Sequence, residues 1–141
     1  MLGKAISIAS QAFENKKDKG GQPYILHCLY VMNEVKHISH EAMIIAVLHD
    51  LLEDTNWTSM ELMDAGFTNA IIRRIETLTH REDENYDTYI KRVSLDKLCT
   101  YIKLADLRHN SDITRMKGLT KKDFDRLEKY HKAYEYLRES N

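Results

Sequence analysis

The sequence has little proline, glycine or cysteine, and each scarcity narrows the kind of protein it can encode. Its 141 residues include one proline and five glycines, while leucine, isoleucine, alanine, glutamate and lysine are common, which favours helices over a turn-rich sheet protein. The two cysteines, Cys28 and Cys99, are too few for a disulfide framework and do not form a CxxC metal-binding pair. A reducing compartment is therefore expected.

The chain also lacks a charge excess and a long apolar run. Its formal net charge is -1, so the overall balance gives no reason to expect binding to nucleic acid or to an anionic membrane. No apolar run approaches the roughly 18 residues of a membrane helix, and residues 1–6 lack a signal-peptide pattern. We therefore expect a cytoplasmic protein without a membrane or nucleic-acid partner.

Helical periodicity is present along most of the chain and predicts an all-α fold. A chain of this length is expected to form one domain, residues 1–141, that buries roughly two thirds of the surface of its unfolded state. Helices are predicted over residues 2–13, from Pro23, over residues 40–54, after Thr58, after Thr68, from Tyr86, over residues 98–110 and over residues 120–138. The last of these is amphipathic, which predicts packing on the body of the domain, with a homo-oligomer contact as the alternative.

One stretch combines an apolar run with ionisable side chains. The apolar residues 42–48 lead directly into His49, Asp50, Glu53 and Asp54. If the run is one helix, His49 and Glu53 lie on or beside its apolar face. Burial of such groups without partners costs several kcal/mol, so each would need an opposite charge, a hydrogen-bond network or a metal ion. The alternative is a helix whose polar last turn emerges into water, and this stretch alone leaves both open.

Two other positions repeat the pattern of a polar side chain where a core residue is expected. Asp106 lies within the sequence IKLADL, one helical turn before His109 and Asn110. His27 lies in the middle of a predicted apolar helix, where a lone histidine is more often a satisfied core residue than a ligand. Together with His49 and Asp50, however, these are metal-ligand residue types in apolar contexts within one small domain.

The order His, then His-Asp, then Asp resembles the HD superfamily of metal-dependent phosphohydrolases. Three segments are similar to the hydrolase motifs of the RelA/SpoT-type alarmone hydrolases, including their small single-domain members: residues 21–27 (GQPYILH), 49–55 (HDLLEDT) and 102–106 (IKLAD), the last followed by His109 and Asn110. The resemblance covers about residues 15–116. It implies an all-α, HD-type helical bundle.

The resemblance also implies a metal site and a reaction. It implies that His27, His49, Asp50 and Asp106 bind one Mn²⁺, although Fe²⁺ and Zn²⁺ also suit imidazole and carboxylate ligands. Glu53 and Asp54 would be the catalytic pair that orients a metal-activated water and handles its proton. The implied substrate-binding residues are Asn110, Lys16, Lys17 and Lys103.

The implied substrate is a nucleotide, with guanosine 3′,5′-bis(diphosphate) as the first one to try and pyrophosphate as the product. We expect hydrolysis and not synthesis, because no synthetase segment follows the motifs. One alternative is an HD-type phosphatase for another nucleotide, such as a nucleoside monophosphate. Another is a nucleotide-binding HD protein without catalytic activity.

Two departures from the family pattern concern the substrate and not the metal. The family commonly has Asp-Arg-Leu-His-Asn, whereas this chain has a leucine after Asp106 and its arginine at Arg108, which moves the arginine about 100° around a helix. An arginine is also common just after Asn110, where this chain has Ser111 and Asp112. An acid therefore stands where a polyphosphate would prefer a base.

Overall fold

The computed structural model describes residues 1–140, and these form helices joined by short connections. No strand occurs within this range, where the only β pairing is an isolated bridge between Lys17 and Pro23, so the predicted all-α class is confirmed. The α-helices are α1 (Leu2–Ala12), α2 (Ile25–Glu34), α3 (His40–Val47), α4 (Leu51–Asp54), α5 (Ser59–Asp64), α6 (Asn69–Thr77), α7 (Tyr86–Ser94), α8 (Lys97–Asn110) and α9 (Lys121–Glu139), with a 3-10 turn at Ile113–Arg115.

Helix α3 lies at the centre of the bundle. It contacts α1, α2, α6 and α8, and five of its eight residues are buried. A short helix that is apolar on nearly every side is typical of a bundle core. None of the helices in residues 1–140 has the length and apolar character needed to cross a membrane.

Side-chain caps fix where several helices begin. Thr58 and Glu61 form a reciprocal capping box at the start of α5, and Thr68 accepts a hydrogen bond from the backbone of Ile71 at the start of α6. The sequence predicted helices after Thr58 and after Thr68, and both are confirmed. Gly66, which follows α5, has a φ of 100°, a conformation that glycine adopts without the steric cost of a side chain.

The predicted continuous helix over residues 40–54 is wrong. Helix α3 ends at Val47, residues 48–50 form a turn, and α4 starts at Leu51. Adjacent side chains diverge by about 100° around an α-helix, so one unbroken helix would direct His49 and Asp50 to different places. The turn allows both side chains to reach the same point.

The second helix also begins later than predicted. Pro23 pairs with Lys17 across the isolated bridge instead of opening the helix, and α2 starts at Ile25. The backbone N–H of Tyr24 donates to the carbonyl of Lys16 at 2.9 Å. This bridge holds residues 16–24 as a closed loop beside the start of α2.

Replacement of Ile45 by alanine should destabilise the fold strongly, because Ile45 is fully buried in α3. We expect Ile45→Ala to lower the free energy of unfolding by about 2–5 kcal/mol, measured by urea denaturation. Met60→Ala is the control: Met60 is 72% exposed, so its replacement should change that free energy by less than about 0.5 kcal/mol. Equal effects of the two variants would contradict the central position of α3.

Candidate metal centre and adjoining cleft

Four side chains from three parts of the chain converge at one point. His27 comes from α2, His49 and Asp50 from the turn before α4, and Asp106 from α8. One nitrogen or oxygen of each lies within 4.8 Å of the corresponding atom of every other member. His49 Nε2 is 3.0 Å from Asp50 Oδ2 and 3.3 Å from Asp106 Oδ1, and His27 Nε2 is 2.8 Å from Asp106 Oδ1.

The other ring nitrogen of each histidine is engaged outside the cluster. His49 Nδ1 lies 2.7 Å from the carbonyl oxygen of Ala46, to which it donates, and His27 Nδ1 lies 2.8 Å from Nδ1 of His109. Burial, with the charge of Arg115, lowers the pKa of His109 to about 4. His109 is therefore neutral at pH 7 and can accept the proton of His27 Nδ1. The Nε2 atoms of His27 and His49 face Asp106, and when a bound cation displaces the protons there, both cluster histidines can present an Nε2 lone pair to the centre, as metal-ligating histidines do.

The two carboxylates are held as firmly as the rings. Asp106 accepts hydrogen bonds from Lys103 Nζ at 2.7 Å and from Asn110 Nδ2 at 2.9 Å. Burial alone would raise the pKa of Asp106, but Lys103 and the neighbouring histidines bring it well below its ordinary value. The hydroxyl of Tyr24 donates to Asp50. Burial opposes the ionisation of Asp50, but the charge of His49 lowers its pKa to about 2, so both carboxyl groups are ionised at neutral pH.

This donor set fits a divalent cation. Burial opposes a positive charge on His49, yet the charges of Asp50 and Asp106 raise its pKa well above the ordinary value. The cluster thus attracts positive charge, and a cation can take the place of a proton there. Two imidazole nitrogens and two carboxylates suit divalent transition ions. The four residues could therefore hold such an ion.

Glu53 and Asp54, the predicted catalytic pair, lie on α4 beside the cluster. Glu53 Oε1 accepts from the backbone N–H of His80 at 2.7 Å, and Asp54 Oδ2 is 3.0 Å from Lys16 Nζ. Burial, together with the negative charge of Asp50, raises the pKa of both carboxyl groups. They are therefore more basic than ordinary surface carboxylates.

The loop that carries His80 is anchored by Arg92. The guanidinium of Arg92 donates to the carbonyl oxygens of Thr77 and Thr79 at 2.8 and 2.9 Å and pairs with the carboxylate of Glu84. His80 Nε2 lies 2.8 Å from the backbone carbonyl oxygen of Glu84. These contacts position the His80 N–H that meets Glu53. No residue of this segment was among the candidate site residues predicted from the sequence.

A cleft of two adjoining cavities passes over the cluster. The cavities measure about 430 and 220 Å³ and share the side chains of Tyr24, Asp54, Asn110 and Tyr130. Both contain cationic residues. In the larger cavity these are Lys16, Lys17, Lys19, Arg115 and Arg126, and in the smaller one Lys103 and Lys129.

The predicted substrate-binding residues do not all lie in the same cavity of the cleft. Lys16, Lys17 and Asn110 line the larger cavity. Lys103 borders the smaller cavity, but its ammonium is bonded to Asp106, so its first contact is with the candidate metal centre. Asn110 likewise donates to Asp106.

Several residues that line the cleft were not predicted from the sequence. The periodicity of α9 indicated packing, although Arg126, Lys129 and Tyr130 on this helix line the cleft. Arg115 follows the last motif and also lines it. No sequence motif includes these positions. The only sequence signal was that the segment after the last motif and α9 both carry cationic residues, and a helical bundle can place two such segments beside the same cleft.

Arg108 and Asp112, the two positions at which the sequence differs from the family pattern, both lie outside the cleft. Arg108 lies on the surface, where Nη2 is 3.6 Å from Glu34 Oε2. Asp112 accepts from the backbone N–H of Thr114 at 3.0 Å and caps the 3-10 turn. Neither side chain lines the two cavities of the cleft, so the acid at position 112 does not face a ligand bound there.

Comparisons with known proteins agree with this geometry. No protein-family model matches the chain. A guanosine-3′,5′-bis(diphosphate) 3′-pyrophosphohydrolase of Haemophilus influenzae is 31% identical over 115 residues, which cover 73% of this chain and 17% of that protein. An enzyme of the same name from Borreliella burgdorferi is 32% identical over 139 residues, or 89% of this chain and 20% of that protein. A GTP pyrophosphokinase rsh of Brucella melitensis is 32% identical over 78% of this chain and 16% of its own length.

The fold has a counterpart among solved structures. A metazoan ortholog of SpoT, described as hydrolysing ppGpp and playing a role in starvation responses, superposes with a TM-score of 0.80 at 19% identity, over 99% of this chain and 86% of that one. The chain is homologous to the RelA/SpoT-type alarmone hydrolases. It spans about a fifth or less of the length of the curated relatives it matches. The resemblance in the sequence and the HD-type fold that it implied are thus confirmed.

Replacement of Asp106 by asparagine should remove metal binding without removing the side chain's volume. Changes outside the first coordination shell typically weaken metal affinity 10–100-fold, so loss of a ligand carboxylate should raise the Kd for Mn²⁺ by more than about 100-fold. Isothermal titration calorimetry measures this, and circular dichroism verifies that the variant is folded. Asp112→Asn, which alters a carboxylate outside the cluster, is the matched control. Wild-type Mn²⁺ affinity in Asp106→Asn would remove Asp106 from the site.

Proposed function

We propose that the chain is a divalent-metal-dependent phosphohydrolase that releases pyrophosphate from guanosine 3′,5′-bis(diphosphate). The observation that carries the proposal is the placement of two basic carboxylates, Glu53 and Asp54, beside a buried His/Asp cluster and next to a cavity lined by five cationic side chains. The names of the relatives and the ppGpp hydrolysis described for the metazoan ortholog support the choice of substrate.

In this proposal His27, His49, Asp50 and Asp106 hold the ion, and Mn²⁺ is the first choice. When bound, a divalent ion supplies Lewis acidity, which lowers the pKa of water and offsets phosphate charge. The chain contributes the fixed ligand directions, because the Ala46 carbonyl orients His49 and Tyr24 holds Asp50. Fe²⁺ and Zn²⁺ suit the same donors.

Glu53 and Asp54 take the proton-handling role. Their raised pKa values make them better proton acceptors than ordinary carboxylates. The His80 N–H fixes one oxygen of Glu53 and leaves the other available to orient the attacking water. Lys16 pairs with Asp54, so a phosphate that binds Lys16 lies next to the second carboxylate.

The cationic residues of the cleft fit a nucleotide with more than one phosphate group. Lys16 and Lys17 border the larger cavity, Lys103 borders the smaller one together with the cluster carboxylates, and Asn110 borders both. Arginine and lysine side chains bind phosphate through charge-assisted hydrogen bonds. A substrate with phosphates on both sides of its ribose can engage both cavities.

A cytoplasmic location belongs to the same proposal. The two cysteines are free and buried, which fits a reducing compartment. The near-neutral net charge supports a small-molecule substrate in preference to a nucleic acid or a membrane.

The direct test measures pyrophosphate release from guanosine 3′,5′-bis(diphosphate) by the purified protein with Mn²⁺. The expected result is release that stops with EDTA and in Asp50→Ala. A parallel panel contains nucleoside mono-, di- and triphosphates under the same conditions. Greater activity on a monophosphate would overturn the proposed substrate, and binding without turnover of any nucleotide would overturn the enzymatic proposal.

Glu53→Gln should separate catalysis from metal binding. The amide keeps the shape of the side chain but cannot accept a proton, so kcat should fall by about 10²–10⁴-fold while the Kd for Mn²⁺ changes little. Steady-state kinetics and calorimetry provide the two measurements. Glu82→Gln, an exposed carboxylate on the loop after α6, is the control and should keep the wild-type kcat. A wild-type kcat in Glu53→Gln would exclude Glu53 as the proton acceptor.

A further inference from the structure

Tyr86 lines the smaller cavity and is not part of any motif in the sequence. It is the first residue of α7, and its ring packs edge-on against His80 at 6.0 Å between centroids. The ammonium of Lys129 lies 4.4 Å from the centre of the Tyr86 ring. Both Tyr86 and Lys129 border the cavity together with Glu53 and Asp106.

The hydroxyl of Tyr86 has no partner in the protein. Its oxygen is buried, and nothing within residues 1–140 makes a hydrogen bond to it. The neighbouring tyrosines differ, because the hydroxyl of Tyr89 donates to the carbonyl oxygen of Leu78 at 2.6 Å and that of Tyr24 donates to Asp50. Buried polar groups in folded proteins are nearly always paired, so an unpaired one at a cleft calls for a functional explanation.

The Tyr86 hydroxyl and the Lys129 ammonium beside its ring suit an anionic acceptor. Burial raises the pKa of the Tyr86 phenol to about 12, so the group is protonated at neutral pH and can donate. The ammonium of Lys103 is the positive charge that most affects the Tyr86 phenol, but it donates a hydrogen bond to Asp106. Lys129 is an exposed residue of α9 with a flexible side chain, which can move from the ring face toward a ligand in the cavity.

We propose that the Tyr86 hydroxyl donates a hydrogen bond to a phosphate oxygen of the substrate, on the Glu53 side of the candidate metal centre. The inference rests on the proposed function for the identity of the substrate, but not for the chemistry of the contact. Tyr86 is then a substrate-binding residue that the helix register of α7 places in the cleft. Lys129 lies beside the same phosphate and offsets part of its charge.

Tyr86→Phe isolates the hydroxyl, because phenylalanine keeps the ring and its contacts with His80 and Lys129. Because a hydrogen bond to a charged group stabilises a complex more than one between neutral groups, its loss should lower kcat/KM by about 10–100-fold. The Kd for Mn²⁺ should not change. The Tm should stay the same or rise, because the variant removes a buried donor that has no partner in the protein.

Tyr89→Phe is the matched comparison. Its hydroxyl is bonded to Leu78, so its removal should lower the Tm, which is the signature of a structural hydroxyl. A fall in Tm for Tyr86→Phe, with unchanged kcat/KM, would overturn the proposal and assign a structural role to Tyr86. Unchanged values of both would overturn it as well.

Binding of inorganic pyrophosphate to the Mn²⁺-loaded protein tests the contact separately from turnover. Calorimetry should give a Kd that is about 10-fold weaker for Tyr86→Phe than for the wild type. If the wild type fails to hydrolyse guanosine 3′,5′-bis(diphosphate) but shows this difference, the proposed substrate fails and the role of Tyr86 stands. Equal pyrophosphate affinities, or no pyrophosphate binding by the wild type, would overturn the role of Tyr86.

Discussion

The buried carboxylate of Asp106 is the constraint around which the rest of the structure is arranged. Its side chain is nearly inaccessible to solvent, and an unpaired charge there would be strongly destabilising. Four side chains meet this requirement: His27, His49, Lys103 and Asn110 all bond to Asp106. These contacts tie α2 and the turn before α4 to α8. A single charge thus links the elements that form the candidate metal centre.

The same requirement shapes the backbone and the cleft. Helix α3 ends at Val47, and the turn that follows allows His49 and Asp50 to face Asp106 together. Helix α4 then begins at Leu51 and places Glu53 and Asp54 beside the cluster. Lys103 balances part of the negative charge from within α8. The remaining negative charge attracts a cation, and the burial that raises the pKa of Glu53 and Asp54 makes them suitable proton acceptors. The proposed metal binding and proton transfer would therefore share one physical origin, which is the burial of carboxylate charge.

The sequence predicted most of the helices and the four convergent residues, because these depend on local periodicity or on a polar side chain in an apolar context. It did not predict the break after Val47, since the need for two adjacent side chains to meet one point is a tertiary constraint. The resemblance implied that Lys103 binds the substrate; in the structure Lys103 borders the smaller cavity and its ammonium also bonds to Asp106, a contact that the sequence did not predict. Residues contributed by α9, and the backbone N–H of His80, carry no motif because their roles arise only from packing.

The most direct measurement is a crystal structure of the protein grown with Mn²⁺, with anomalous scattering recorded at the manganese absorption edge. The account predicts one strong anomalous peak per chain, within coordination distance of His27 Nε2, His49 Nε2 and one oxygen of each of Asp50 and Asp106. It also predicts that Lys103 still contacts the second oxygen of Asp106. A peak outside the cluster, or no peak in a crystal saturated with Mn²⁺, would contradict the central claim that these residues form one metal centre.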